Sequence, residues 1–207
     1  MLKELTLEEF VGEVASSSPA PGGGSVAALA GAQGAGLLSM YCNLSQNREK
    51  LGEVVDLLQS SGEEARFLMT RLTEAIDEDT IAFNQVMDAY RMPKDSPEEK
   101  ADRMTAIQVA AENAADVPLQ TARGCLRILS IIDETAVKGN PAAVTDLGVA
   151  NLQAFAGLTG ACYNVRINLG MITDQVTAEN LKSETDDLLA EGTELFEKNR
   201  KAIEKLI

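Results

Sequence analysis

The chain is patterned almost throughout with the helical period. Thr6, followed three residues on by Glu9, has the form of a capping box. Leu7, Phe10, Val11 and Val14 then fall at i, i+3, i+4 and i+7, which predicts a first helix. The run from Ser16 to Ser25 is too rich in Ser, Pro and Gly to continue it. From Val26 to Cys42 there is no charge, and the residues are mostly Ala, Gly, Leu and Ser. The length approaches that of a membrane span. Its glycines and Gln33 make it too weakly hydrophobic for one, so the expectation is a helix at the buried centre of a helical domain. Ala27, Ala30, Gly31, Gly34 and Ala35 would allow close backbone contact there.

The pattern predicts a further helix over Lys50–Tyr90, roughly 60 Å long if unbroken, with a bend expected at Ser60-Ser61-Gly62. Met92–Asp95 reads as a loop. Ser96 caps the next helix, with Pro97 at its first position and Glu98 and Glu99 in its first turn. A kink or break is expected near Pro118. The helix should end at Lys138-Gly139, where Gly suits the left-handed closing position and Pro141 blocks continuation. Two more helices are predicted over Thr145–Leu169 and Thr177–Leu206, the last with Leu181, Leu188 and Leu195 a heptad apart. No alternating strand pattern and no long repeat is visible. The expected architecture is all-α: a single, multihelical, bundle-like domain with long helices spanning 1–207.

Composition sharpens this. Of 207 residues, 45% are apolar but only 4% aromatic, so the core must be built from small and aliphatic side chains packed closely. The net charge of −14 argues against a nucleic-acid partner, which needs a basic face. There is no His, which excludes Ser-His and Cys-His catalysis and leaves proton transfer to Asp, Glu, Lys, Tyr or Cys. Cys42, Cys125 and Cys162 are odd in number and lack ligand spacing, so neither a disulfide framework nor a metal site is expected. Met1-Leu2-Lys3-Glu4 is not a signal peptide and no segment reads as a membrane span, so the expected location is the cytoplasm, with no membrane partner.

Two carboxylates interrupt apolar helical faces. Asp79 sits within the stripe Leu72, Ala75, Ile76, Asp79, Ala82, Phe83, Val86 and Tyr90, while Asp77 and Glu78 point elsewhere. Burying a carboxylate is costly unless it is paired or hydrogen-bonded, so Asp79 either caps or pairs with a neighbour or serves chemistry. On the fifth predicted helix, Asp146, Ala150, Ala154, Gly157, Ala161, Asn164 and Asn168 share one face. Its small centre implies a closely packed neighbouring helix. Its ends carry an acid and two amides, which could be structural caps and core amides or a site. Gly22-Gly23-Gly24-Ser25 directly precedes a helix, where backbone N–H groups can hold an anion or a polar ring. It matches neither the Walker A motif nor the dinucleotide fingerprint. Lys94 stands in a loop with no apolar reason to be there.

Taken in order, these segments resemble the cyclodeaminase/cyclohydrolase family of folate enzymes. The resemblance runs through Pro21–Ala28, Asp79-Thr80-Ile81-Ala82-Phe83, Met92-Pro93-Lys94, Val117-Pro118-Leu119 and Gly139-Asn140. It continues through Thr145-Asp146-Leu147-Gly148-Val149-Ala150, Gly160-Ala161 and Asn164–Leu169. It covers nearly the whole chain. Thr145 stands where the family commonly has Ser, and the hydroxyl is kept.

The resemblance implies an all-α homodimer acting on a reduced folate, with no cofactor beyond tetrahydrofolate as the one-carbon carrier. The implied activity is formimidoyltetrahydrofolate cyclodeaminase, forming 5,10-methenyltetrahydrofolate and ammonia, or methenyltetrahydrofolate cyclohydrolase; the motifs lean to the first. A non-catalytic helical scaffold is the reading from another class. Both reactions pass through a tetrahedral carbon between two nitrogens and need a proton acceptor and a proton donor. Asp79 and Asp146 are the expected catalytic carboxylates. Gly22, Gly23, Gly24 and Ser25 are expected at the pterin or the bridge, Asn140, Asn164 and Asn168 at the pterin's polar edge, and Lys94 at the glutamate tail.

Overall fold

The computed structural model describes residues 1–46 and 54–207. Among these residues, short 3-10 turns at Leu2–Glu4 and Pro141–Ala143 accompany six α-helices: α1 Leu7–Val14, α2 Gly23–Gln46, α3 Val54–Arg91, α4 Pro97–Thr135, α5 Val144–Leu169 and α6 Gln175–Glu204. No strand occurs among the described residues. The expected helix start at Lys50 lies outside them.

Local chemistry explains the boundaries. The Thr6–Glu9 capping box forms, and Ser96 and Glu99 form a second one at the start of α4 behind Pro97. Helix α2 starts at Gly23, three residues before the predicted Val26, so the glycines are its first turn rather than a joint. Helix α3 runs through Ser60-Ser61-Gly62 without interruption. Helix α4 likewise runs through Pro118. Proline there removes the N–H that would bond the Ala114 carbonyl four residues back. Asn168 of α5 takes its place, donating from Nδ2 to Ala114 O at 2.6 Å. The missing bond is replaced from outside, so the helix continues.

Helix α2 packs along α3 on one side and α5 on the other, with α4 behind and α6 closing against α4 and α5. The main core collects Leu38, Leu58, Leu129, Ile132, Leu147 and Leu158. The small-residue face of α5 does meet a close neighbour, and it is α2. A Cβ on Gly34 would come within 3.0 Å of Ala150 O and Ala154 N, and one on Gly157 within 2.9 Å of Ala27 O and Gly31 N. These glycines let the backbones touch. Buried amides fasten the far side: Asn199 Nδ2 donates to Leu129 O and to Asn151 Oδ1, and Asn151 Nδ2 donates to Phe196 O.

Helix α2 is not buried on every side. Val26, Gln33, Met40 and Leu44 form an outward stripe. On α1 only Phe10 is buried, while Leu7, Val11 and Val14 stay exposed. Among the described residues no helix is long and apolar enough to cross a membrane.

Candidate functional site

A cavity of about 460 Å³ opens where the N-terminus of α2 meets α3 and the C-terminal end of α5. Gly22, Gly23, Gly24, Asp79, Asn164 and Asn168 line it, with the Asn164 amide close beside Gly23. Phe83, Val86, Met87, Tyr90, Ile167 and Met171 form apolar walls. Apolar walls with a few convergent polar groups are the usual form of a small-molecule site.

Asp79 lies against the start of α2. Its Oδ2 accepts from Ser25 N at 2.9 Å and from Ser25 Oγ at 3.1 Å. It therefore satisfies one of the free amides of that helix end, which is the capping role the sequence left open. It also lines the cavity, and its Oδ1 accepts no hydrogen bond among the described residues. Burial pushes its carboxyl above the ordinary value of 3.8, while the Ser25 hydrogen bonds act in the lowering direction. Cap and cavity residue are the same group. Gly24 is required beside it, because a Cβ there would overlap the carboxylate. Asp77, two residues back, is turned away and accepts from Leu2 N at 2.6 Å, and Glu78 pairs with Arg71.

The two asparagines are held by their amide nitrogens. Asn164 Nδ2 donates to Gly160 O at 2.8 Å and Asn168 Nδ2 to Ala114 O at 2.6 Å. Neither amide oxygen accepts a hydrogen bond among the described residues, so both remain available to a ligand's N–H groups. The amides of Gly23 and Gly24, at the start of a helix, have no partner within it.

Four expected site residues do not line the cavity. Ser25 has no exposed surface; its hydroxyl lies 2.9 Å from Ile76 O and 3.1 Å from Asp79 Oδ2, so it sits behind Asp79. Asn140 caps the 3-10 turn, with Oδ1 accepting from Ala142 N, and its own N–H donates to Ser45 Oγ. Together with Gly139, whose N–H donates to Tyr41 Oη, it fastens the α4–α5 connection onto α2. Lys94 is exposed beyond Tyr90, outside the cavity lining. Asp146 stands near the N-terminus of α5, about 27 Å along that helix from Asn164 at 1.5 Å per residue. Within one chain it does not join Asp79.

The walls were hidden in the sequence. Phe83, Val86 and Tyr90 fit an ordinary core stripe, and nothing in the pattern marks its end as open. Tyr90, 45% exposed, is the one polar clue. The three cysteines are free and buried, and burial raises their thiols to about 12 for Cys42 and Cys125 and about 11 for Cys162. No metal-holding group of His, Cys, Asp and Glu occurs among the described residues.

A half-buried carboxylate in a mostly apolar cavity that two amide side chains also line has the form of a small-molecule site in a helical protein. Residues 6–187 match the model of the formiminotransferase-cyclodeaminase family, and the chain belongs to that family. It is 43% identical over 193 residues to the methenyltetrahydrofolate cyclohydrolase of Methylorubrum extorquens, covering 93% of each chain. It is 35% identical over 191 residues to the formimidoyltransferase-cyclodeaminase of Rattus norvegicus, covering 92% of this chain but 35% of that longer protein. The crystal structure of formiminotetrahydrofolate cyclodeaminase from Thermotoga maritima superposes with a TM-score of 0.88 at 27% identity, covering 99% of this chain and 98% of that one.

Proposed function

We propose that this chain is a methenyltetrahydrofolate cyclohydrolase, adding water to the bridging carbon of 5,10-methenyltetrahydrofolate and releasing 10-formyltetrahydrofolate. The observation that carries the choice is the match to a cyclohydrolase over 93% of both chains at 43% identity. The motifs alone lean to cyclodeaminase; this match moves the balance. Cyclodeaminase remains the second reading, favoured by the near-complete superposition on the Thermotoga enzyme.

The cavity chemistry supports the reading. The methenyl bridge is a cation shared between N5 and N10. Asp79 offers it a carboxylate, and among the described residues no Lys or Arg lines the cavity. In the reaction, Asp79 takes a proton from the attacking water as its oxygen bonds the bridging carbon. The neutral tetrahedral adduct then breaks its bond to N5. N5 gains a proton, the hydroxyl loses one, and the formyl group stays on N10. One proton is released per turnover. The pterin's N–H groups face the oxygens of Asn164 and Asn168, and the Gly23 and Gly24 amides face its carbonyl. Lys94 takes the glutamate tail. The enzyme works in the cytoplasm, where free thiols persist, and as a homodimer.

Loss of the methenyl absorbance tests this. Decay of added 5,10-methenyltetrahydrofolate above the uncatalysed rate, with no ammonia released from 5-formiminotetrahydrofolate, is the expected result. Ammonia release with growth of the methenyl band would give the second reading its place. Inactivity towards both would overturn the enzyme assignment.

A further inference from the structure

We propose that the cavity is completed by a second copy of this chain, whose Asp146 is carried to the Asn164 side of the cavity by antiparallel packing of α5 on its symmetry mate. Its activity readout rests on the folate reading above; its geometry does not.

Asp146 is half-buried, and among the described residues it makes no hydrogen bond or ion pair. It precedes Asn164 by roughly five helical turns, so the two side chains leave α5 at the same azimuth but at opposite ends. Between them, turned away from the core, runs a stripe of Val149, Leu152, Ala156, Tyr163 and Ile167, all exposed. Helix α2 adds Val26, Met40 and Leu44 beside it. Helix α2 has no charged residue and α5 has only Asp146 and Arg166. In a chain of net charge −14, two copies repel over most of their surfaces. This face is where they can meet, and an exposed apolar patch of this extent marks an interaction site.

The site picks out the occupant and the axis. Ile167, 75% exposed, belongs both to the stripe and to the cavity wall, so whatever covers the stripe also walls the cavity. Ala156 lies midway between Thr145 and Ile167. A two-fold axis across α5 at Ala156 is self-complementary: it lays Val149 on the partner's Tyr163 and Thr145 on the partner's Ile167, with small Ala156 at the crossing. Because Asp146 and Asn164 share an azimuth, the same rotation sets the partner's Asp146 beside Asn164. A two-fold axis running along the helices would lay α2 of one copy on α5 of the other and leave both Asp146 side chains remote. Only the first arrangement supplies the cavity with a second carboxylate and reunites Asp146 with Asp79.

Two measurements on the full chain decide it. Asp79→Asn and Asp146→Asn each lower turnover by about 10² or more. Co-expressed in equal amounts they regain about one quarter of wild-type activity, because half the dimers are mixed and each mixed dimer holds one intact site. No recovery in verified mixed dimers, or full activity in Asp146→Asn alone, overturns the shared site. Independently of any folate chemistry, Ala156→Cys should oxidise to a covalent dimer, since a disulfide needs Cα atoms within about 7 Å and the native cysteines are buried. A protein that stays uncross-linked overturns the axis even if the enzyme is active. An inactive wild-type enzyme whose Ala156→Cys variant cross-links would sink the folate reading and leave the interface standing.

Discussion

Asn168 Nδ2 lies 2.6 Å from Ala114 O, the carbonyl that Pro118 leaves without its helical partner. One asparagine thereby satisfies the carbonyl that the proline frees on α4 and is itself fixed at the cavity. Asn168→Ala leaves that carbonyl unpaired, at a cost of about 1–3 kcal/mol, or roughly 2–4 °C in Tm per kcal/mol for a chain of this size. In a Pro118→Ala background the helix regains its N–H and the same mutation costs less. A double-mutant cycle by thermal denaturation measures this; additive losses would show that the two residues are not coupled.

Asp79 unites a cap with a cavity group, and substitutions separate the roles. Asp79→Asn keeps an oxygen for the Ser25 N–H, so the melting temperature at neutral pH should hold while turnover falls by about 10² or more. Asp79→Ala loses both, adding about 1 kcal/mol of lost capping. Steady-state rates and melts on both variants decide it.

The raised carboxyl of Asp79 fixes the sign of two pH effects. Folding holds its proton more tightly than the unfolded chain does. Its contribution to stability is thus full below the ordinary value of 3.8 and declines as pH rises through the higher folded value. If the ionised form is the base, kcat/KM rises with pH through that same displaced value. Ser25→Ala removes a hydrogen bond that acts in the lowering direction, so the acidic limb should move to higher pH with KM little changed. An unmoved limb in Ser25→Ala would detach Ser25 from the chemistry.

Glycine substitutions should split by position. Gly24→Ala collides with the Asp79 carboxylate and Gly157→Ala with the α2 backbone, whereas Gly22→Ala meets only Pro19 O at an ordinary 3.7 Å. The first should lose activity, the second about 1–3 kcal/mol of stability from overpacking, and the third little of either. Activity and denaturant midpoints on the three variants check this.

Lys94→Ala should raise KM for polyglutamylated folate while kcat holds, with a larger effect for longer tails and at low salt. Equal KM values for the two enzymes at every tail length would free Lys94 from this role.

The helices were legible in the chain, because caps, periodicity and breakers act within a few residues of one another: Thr6–Glu9 and Ser96–Glu99 both form capping boxes at helix starts. The sequence also showed that Asp79 breaks an apolar stripe and that the α5 face of small residues needs a close neighbour. Which helix that neighbour is, and that Gly157 meets its backbone while its own Gly34 meets that of α5, was left to tertiary packing. Packing likewise decided that Pro118 does not end α4, since the compensating amide lies on another helix. Ser25 and Asn140 read as ligand contacts in the chain but fold into hydrogen bonds with Asp79 and with the end of α2. A local pattern records which side of a helix is polar, but not which neighbour occupies that side. Asp79 and Asp146 differ in that respect alone: each breaks an apolar face, and only the three-dimensional arrangement opens a cavity at one and leaves the other about 27 Å along α5 from its rim.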